Sequence, residues 1–124
     1  MSATAKSAGD ATLVDLAVMR ETAILVLGPE GRPHALPPTP MELGAVTAEL
    51  RDHLERLIPE VELKAARMPQ DCVARFCASA CIGEAQRKLS VGPSPRYGGD
   101  IGHARRLARV LRALCDHYES AGET

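Results

Sequence analysis

Three of the chain's four cysteines, Cys72, Cys77 and Cys81, fall within ten positions in the segment CVARFCASACIGEAQRKL; the fourth is Cys115. Thiolates are soft metal ligands and nucleophiles, so such a cluster raises zinc binding and redox chemistry. The spacing argues against both. On a helix advancing about 100° per residue, Cys77 and Cys81 are about 40° apart and share a face, while Cys72 lies about 140° from Cys77. A zinc site needs four convergent ligands. Cys77, Cys81 and Cys115 would supply three, but His117, the natural fourth, lies about 200° from Cys115 and points outward. There is no CxxC knuckle, and a Cys77–Cys81 disulfide suits neither helix geometry nor a reducing cytosol. Free cysteine packs as a small hydrophobe. Val73, Ala74, Cys77, Ala80, Cys81 and Ala85 are therefore expected to form a low-bulk apolar face where two helices approach closely, with Cys115 nearby. No metal or other cofactor is expected.

The arginines form a second constellation. Arg105, Arg106, Arg109 and Arg112 occupy about 120° of helical arc, opposite a leucine stripe. Such a face could meet nucleic acid, an acidic protein or a small anion, or be a solvated surface paired with acids such as Asp116 and Glu119. With a net charge of −1 and no aromatic residues interleaved for base stacking, nucleic acid is the weaker reading. The four arginines are expected to form a protein or anion contact face.

No catalytic residue is expected. The Glu-x-x-His pairs of di-iron bundles do not occur. Glu49 and His53 stand four apart, but His53 falls on a helix flank without the positioned partner a general base needs. GPEGRP and YGGDIGH lack the strand-then-helix context and the lysine of a phosphate loop. Free amides at the start of the last helix could hold an anion, but Asp100 as N-cap already supplies negative charge there.

The elements that would position these residues are helices. Leu13, Leu16, Ala17, Ile24 and Leu27 recur at helical spacing over residues 11–27, with Asp10 as N-cap and Gly28-Pro29 as the stop. TAILVL within it also admits a β reading. Residues 28–39 hold four prolines and read as an extended loop. Thr39, Pro40 and Glu42 spell a capping box with proline at the first helical position. Leu43, Val46, Leu50, Leu54, Leu57, Val61, Ala65 and Met68 follow in register over residues 40–68. Pro59 lies about 200° from Leu57, facing solvent, so a kinked helix or two abutting helices is expected there. Arg51/Glu55, Asp52/Arg56 and Arg56/Glu60 are four apart on the outer face. A third helix over 70–90 and a fourth over 100–120 complete the set, the last striped by Ile101, Ala104, Leu107, Ala108, Leu111, Leu114 and Tyr118. The expected fold is all-α, a four-helix bundle, with residues 1–9 a disordered tail, 10–120 one domain and 121–124 a C-terminal tail.

The bulk numbers agree. A chain of 124 residues supports one core. Hydrophobic residues make up 45% of it and aromatics only 2%, so that core must be aliphatic. No apolar run approaches the roughly 18 residues of a membrane span, and the start lacks the order of a signal peptide. A cytoplasmic protein with no membrane partner is expected.

LIPEVE, CASACIGEAQRKL and HARRLARVLRALCDHYE together resemble a family of short actinobacterial proteins known as domain of unknown function 6415, over about residues 12–119. The resemblance implies a helical fold and an actinobacterial, cytoplasmic setting, sometimes labelled natural-product biosynthesis; it carries no site residues. The functional expectation is a non-enzymatic protein acting through a protein partner or homo-oligomer, accessory or regulatory in such metabolism. The alternatives are a small biosynthetic enzyme or ligand binder with an interhelical pocket under the 28–39 loop, and a nucleic-acid-associated regulator using the arginine face.

Overall fold

The structure, a computed structural model, describes residues 14–28 and 38–122. It consists of α1 (Leu16–Leu27), α2 (Pro40–Ala66), α3 (Val73–Ser90), a 3-10 turn (Pro95–Tyr97) and α4 (Gly99–Gly122). This is the all-α bundle expected; TAILVL is helical and no strand occurs among the described residues. The expected Asp10 cap, the N-terminal tail and most of the proline-rich loop lie outside the described residues.

Helix α4 is the hub. It packs against α1, α2 and α3, and Ala104, Leu107, Ala108, Leu111 and Leu114 are fully buried along its core stripe. Leu50, Leu54 and Leu57 of α2 meet them. Each such leucine is worth roughly 1.5–3 kcal/mol of transfer free energy. Cys115, fully buried, fills the same layer as a small apolar side chain.

Helix α2 forms as its sequence dictates. Thr39 accepts from the Glu42 amide at 3.2 Å, and Glu42 accepts from the Thr39 amide at 2.9 Å. The helix then runs unbroken through Pro59. Proline removes one hydrogen bond, to the Glu55 carbonyl, but Pro59 is on the exposed side, where water can satisfy that oxygen. Residues 40–66 are thus one helix and not two, ending two positions before the expected Met68. Of the three outer pairs, Asp52–Arg56 closes at 3.2 Å.

Two faces depart from expectation. Helix α1 buries Met19, Thr22, Ala23 and Val26, while Ala17 and Ile24 are exposed. The buried face is rotated by about 120° from the expected one. Apolar residues surround this helix, so periodicity alone picks out no side; its partners do. Arg20 reaches Asp116 at 2.9 Å and Glu119 at 3.0 Å on α4. Asp15 caps α1, accepting from the Val18 amide. Helix α3 buries Ala78, Ile82 and Ala85, with Cys81 and Leu89 packed at the margin. Val73, Ala74, Cys77 and Ala80, expected inside, are exposed. Asp100 also differs: α4 starts at Gly99, so Asp100 sits within its first turn and is not the cap. Gly98 and Gly99 take the positive φ values, 91° and 63°, that turn the chain into α4.

Among the described residues, no helix is long and apolar enough to cross a membrane.

Candidate functional site

The four cysteines are dispersed by the fold. Cys115 is buried, Cys72 and Cys81 are half-buried, Cys77 is exposed, and all four are free thiols. Burial pushes the Cys115 thiol up to about 11. Burial, reinforced by Glu84 and Asp116, raises Cys81 too. Both are held as thiols, the unreactive form. The three cysteines weighed as metal ligands, Cys77, Cys81 and Cys115, are not brought together, because Cys77 faces solvent while Cys115 lies in the core. No group of three or more His, Cys, Asp or Glu residues among the described ones is placed to hold a metal ion.

The arginine face is divided. Arg105 Nε donates to the Val26 carbonyl at 3.2 Å, and an Arg106 terminal nitrogen donates to the Tyr97 carbonyl at 2.7 Å. Only Arg109 and Arg112 extend into solvent. Asp116 and Glu119, the expected local partners, are instead taken by Arg20 of α1.

Arg105 belongs to a wider pattern. Carbonyls in the last turn of a helix have no acceptor role within it. Arg51 donates to Leu89 at the end of α3 at 2.8 Å, and Arg75 to Met68 just past α2 at 2.8 Å. Lys64 donates to Tyr118 in the closing turns of α4 at 3.2 Å, its ammonium also lying 3.7 Å from the centroid of the Tyr118 ring. With Arg105 at Val26, a cation from a neighbouring element donates to a carbonyl at or near the C-terminal end of each of the four described helices, where the macrodipole favours it. These cations clamp the bundle, and spacing along the chain gives no sign of it.

The described histidines carry no assembled relay. His53 Nε2 is 3.2 Å from the Thr22 hydroxyl, which also donates to the Val18 carbonyl at 3.0 Å. His53 is thus the boundary histidine expected of its position, satisfying a buried threonine. His103 is buried at the start of α4. Burial, then Arg51 and Arg106, hold it below the ordinary imidazole range, with Asp100 opposing. His103, Asp100 and Thr47 border one groove of about 220 Å³, the residue types of a nucleophile triad. No hydrogen bond joins the three, so the nucleophile–base–orienter chain such chemistry needs is not formed.

What the fold does expose is the outer side of α3. Val73 and Phe76 are 75% and 74% exposed, and with Cys77 and Ala80 they form an i, i+3, i+4, i+7 stripe. That stripe lies opposite the buried Ala78–Ile82–Ala85 side, so the first two turns of α3 are apolar on both faces. Beyond Ala80 the outer face becomes charged, with Glu84 bonded to Arg87 at 2.8 Å and to Lys88 at 3.1 Å. Phe76 is the chain's only phenylalanine, and two tyrosines are the only other aromatics. A protein this poor in aromatic area would gain by burying that ring; it presents it to solvent instead.

A groove of about 540 Å³ opens at one end of the bundle, between the turn after α2 and the final turns of α4. Met68, Pro69 and Ala74 contribute its apolar wall, and Lys64, Arg67 and His117 its polar groups. The loop under which a pocket was expected, 28–39, lies mostly outside the described residues.

The family of unknown function DUF6415 matches residues 17–123. The chain belongs to this family. Comparisons with curated proteins and with solved structures return no match.

The DUF6415 match runs from the first turn of α1 to the end of α4, so it rests on the whole bundle and not on one motif. Within this family member, sequence reasoning grouped Val73, Cys77 and Ala80 correctly on one side of a helix, while Ala74 lies about 100° round from Val73, toward Ala78. It assigned that side to the interior, when it is the exposed one. The signal that was available is Phe76: at about 100° per residue it falls among Val73, Cys77 and Ala80, and a bulky ring contradicts a low-bulk seam.

Proposed function

We propose that this DUF6415 protein is non-enzymatic and works by protein association through the outer face of α3. The observation that carries this reading is the exposed stripe of Val73, Phe76, Cys77 and Ala80 on a helix whose opposite side already fills the core. A second copy of the chain is the occupant the stripe fits. Two bulky side chains alternate with two small ones, so the stripe is complementary to itself. In an antiparallel pair with the twofold axis between positions 76 and 77, Val73 meets the other copy's Ala80, and Phe76 meets its Cys77. That is the reciprocal contact an isologous dimer requires. Two turns of helix are small beside the roughly 1,200–2,000 Å² of a stable interface, so the expected association is weak and reversible.

Arg109 and Arg112 are proposed as a polar rim that meets acidic groups of a partner. A nucleic-acid role for the arginine set draws less support, since Arg105 and Arg106 are bonded to backbone carbonyls. The proposed setting is the cytoplasm of an actinobacterium, accessory or regulatory in natural-product metabolism; that part rests on family resemblance alone.

Sedimentation velocity over a concentration series tests the association. The wild-type coefficient should rise with concentration, while Phe76→Asp should sediment as a monomer throughout with an unchanged helical circular-dichroism signal. A concentration-independent monomer for the wild type would refute it.

A further inference from the structure

We infer that the groove between the turn after α2 and the end of α4 is a binding site for a small apolar ligand bearing one carboxylate. Its volume, about 540 Å³, lies within the roughly 300–1,000 Å³ of small-molecule sites. Its lining is mainly apolar, supplied by Met68, Pro69 and Ala74, with Cys72 beside them. Among the described lining residues the charged or titratable groups are Lys64, Arg67 and His117, with no aspartate or glutamate. A cationic border on an apolar hollow favours an anion with an apolar body.

The two cations are in different states. Lys64 is committed to the Tyr118 carbonyl and ring, which fixes its ammonium at the groove. Arg67 is the C-cap of α2; its side chain is exposed and enters no salt bridge with a described residue. One available guanidinium matches one negative charge. Its planar fork fits a carboxylate through two parallel hydrogen bonds, with the fixed Lys64 ammonium adding long-range attraction. Cys72, the N-cap of α3, and Ala74 line the groove, but it shares no residue with the Val73–Phe76–Cys77–Ala80 stripe and its charged groups come from α2 and α4, so either assignment can fail without the other.

Decanoate is a suitable probe, with decanol as its neutral counterpart of equal chain length, and titration calorimetry as the readout on the full chain. Decanoate should bind saturably, one per chain, and decanol about tenfold more weakly. Arg67→Glu should weaken decanoate by about tenfold or more and leave decanol unchanged. Ala74→Trp, at an exposed position on the groove wall, should abolish both. Because Arg67 and Ala74 lie outside the core, both variants should keep the wild-type circular-dichroism spectrum and melting temperature, which is checked alongside. Absence of saturable decanoate binding overturns the assignment, as does binding that Ala74→Trp leaves intact. Equal affinity for decanoate and decanol, unaffected by Arg67→Glu, overturns the carboxylate preference.

Discussion

Phe76 and Ala78 stand two positions apart on α3, yet Ala78 is 1% exposed and Phe76 is 74% exposed. Two positions are about 200° of rotation, so the core and the proposed contact surface lie on opposite sides of the same turn. Substitutions at the two sites should diverge. Ala78→Phe, which forces a ring into a packed interface, should cost about 1–3 kcal/mol in chemical denaturation. Phe76→Ser should change monomer stability by no more than about 0.5 kcal/mol. Equal losses at both positions would place the Phe76 ring in the core and remove the proposed surface.

Thiol chemistry reports the same geometry. In dilute protein, Cys77 should react with a soluble aromatic disulfide first, Cys81 more slowly, and Cys115 only on unfolding. Its burial and a thiol held at about 11 both suppress the thiolate. As protein concentration rises, the Cys77 rate should fall while the Cys81 rate stays constant. Peptide mapping after timed alkylation reads each rate separately. Prompt modification of Cys115 in the folded protein would contradict the packing described.

Gly102 should not tolerate alanine. Ordinarily, glycine to alanine within a helix gains about 1 kcal/mol. Here a β-carbon would overlap the Tyr97 carbonyl oxygen, the same oxygen that accepts from Arg106. Because that obstacle is backbone, the start of α4 must shift to admit the methyl group. Gly102→Ala should lower the melting temperature, whereas Gly44→Ala, with open space around its α-carbon, should hold or raise it.

The legibility of this fold varied with how one-sided each helix is. Helix α4 has a strong stripe against a charged back, so Leu107, Leu111 and Leu114 could be placed inside from spacing alone. The Thr39–Glu42 capping box is local chemistry, and it formed as written. Helix α1 has apolar side chains around most of its circumference, and long-range contacts orient it: Arg20 with Asp116 and Glu119, Thr22 with His53, and Arg105 with the Val26 carbonyl. Helix α3 carries two apolar faces, one for the core and one for solvent, and periodicity cannot rank two faces of similar type. The roles of Arg51, Arg75 and Arg105 escaped notice for a related reason: their acceptors are backbone carbonyls, which leave no trace in side-chain spacing.

His103 sets a pH dependence. Its folded-state imidazole is held below the unfolded value of about 6.5, chiefly by burial and then by Arg51 and Arg106, against an opposing effect of Asp100. Below that pH the unfolded chain takes up a proton that the folded chain resists, so stability present above about 6.5 is lost as pH falls. The denaturation midpoint should therefore drop between about pH 7 and 5, and drop less in His103→Gln. A wild-type profile that is flat, or that rises on acidification, would contradict a buried neutral His103.

In the proposed association the outer face of α3 meets its own copy about a twofold axis beside Cys77. A variant keeping Cys77 as its sole thiol, made with Cys72→Ser, Cys81→Ala and Cys115→Ala, tests it most directly with a short bismaleimide crosslinker. A covalent dimer should form in a yield that rises with protein concentration and collapses on adding Phe76→Asp. Only monomer, or a yield matched by a control whose sole thiol comes from Glu55→Cys on the exposed side of α2, would contradict it.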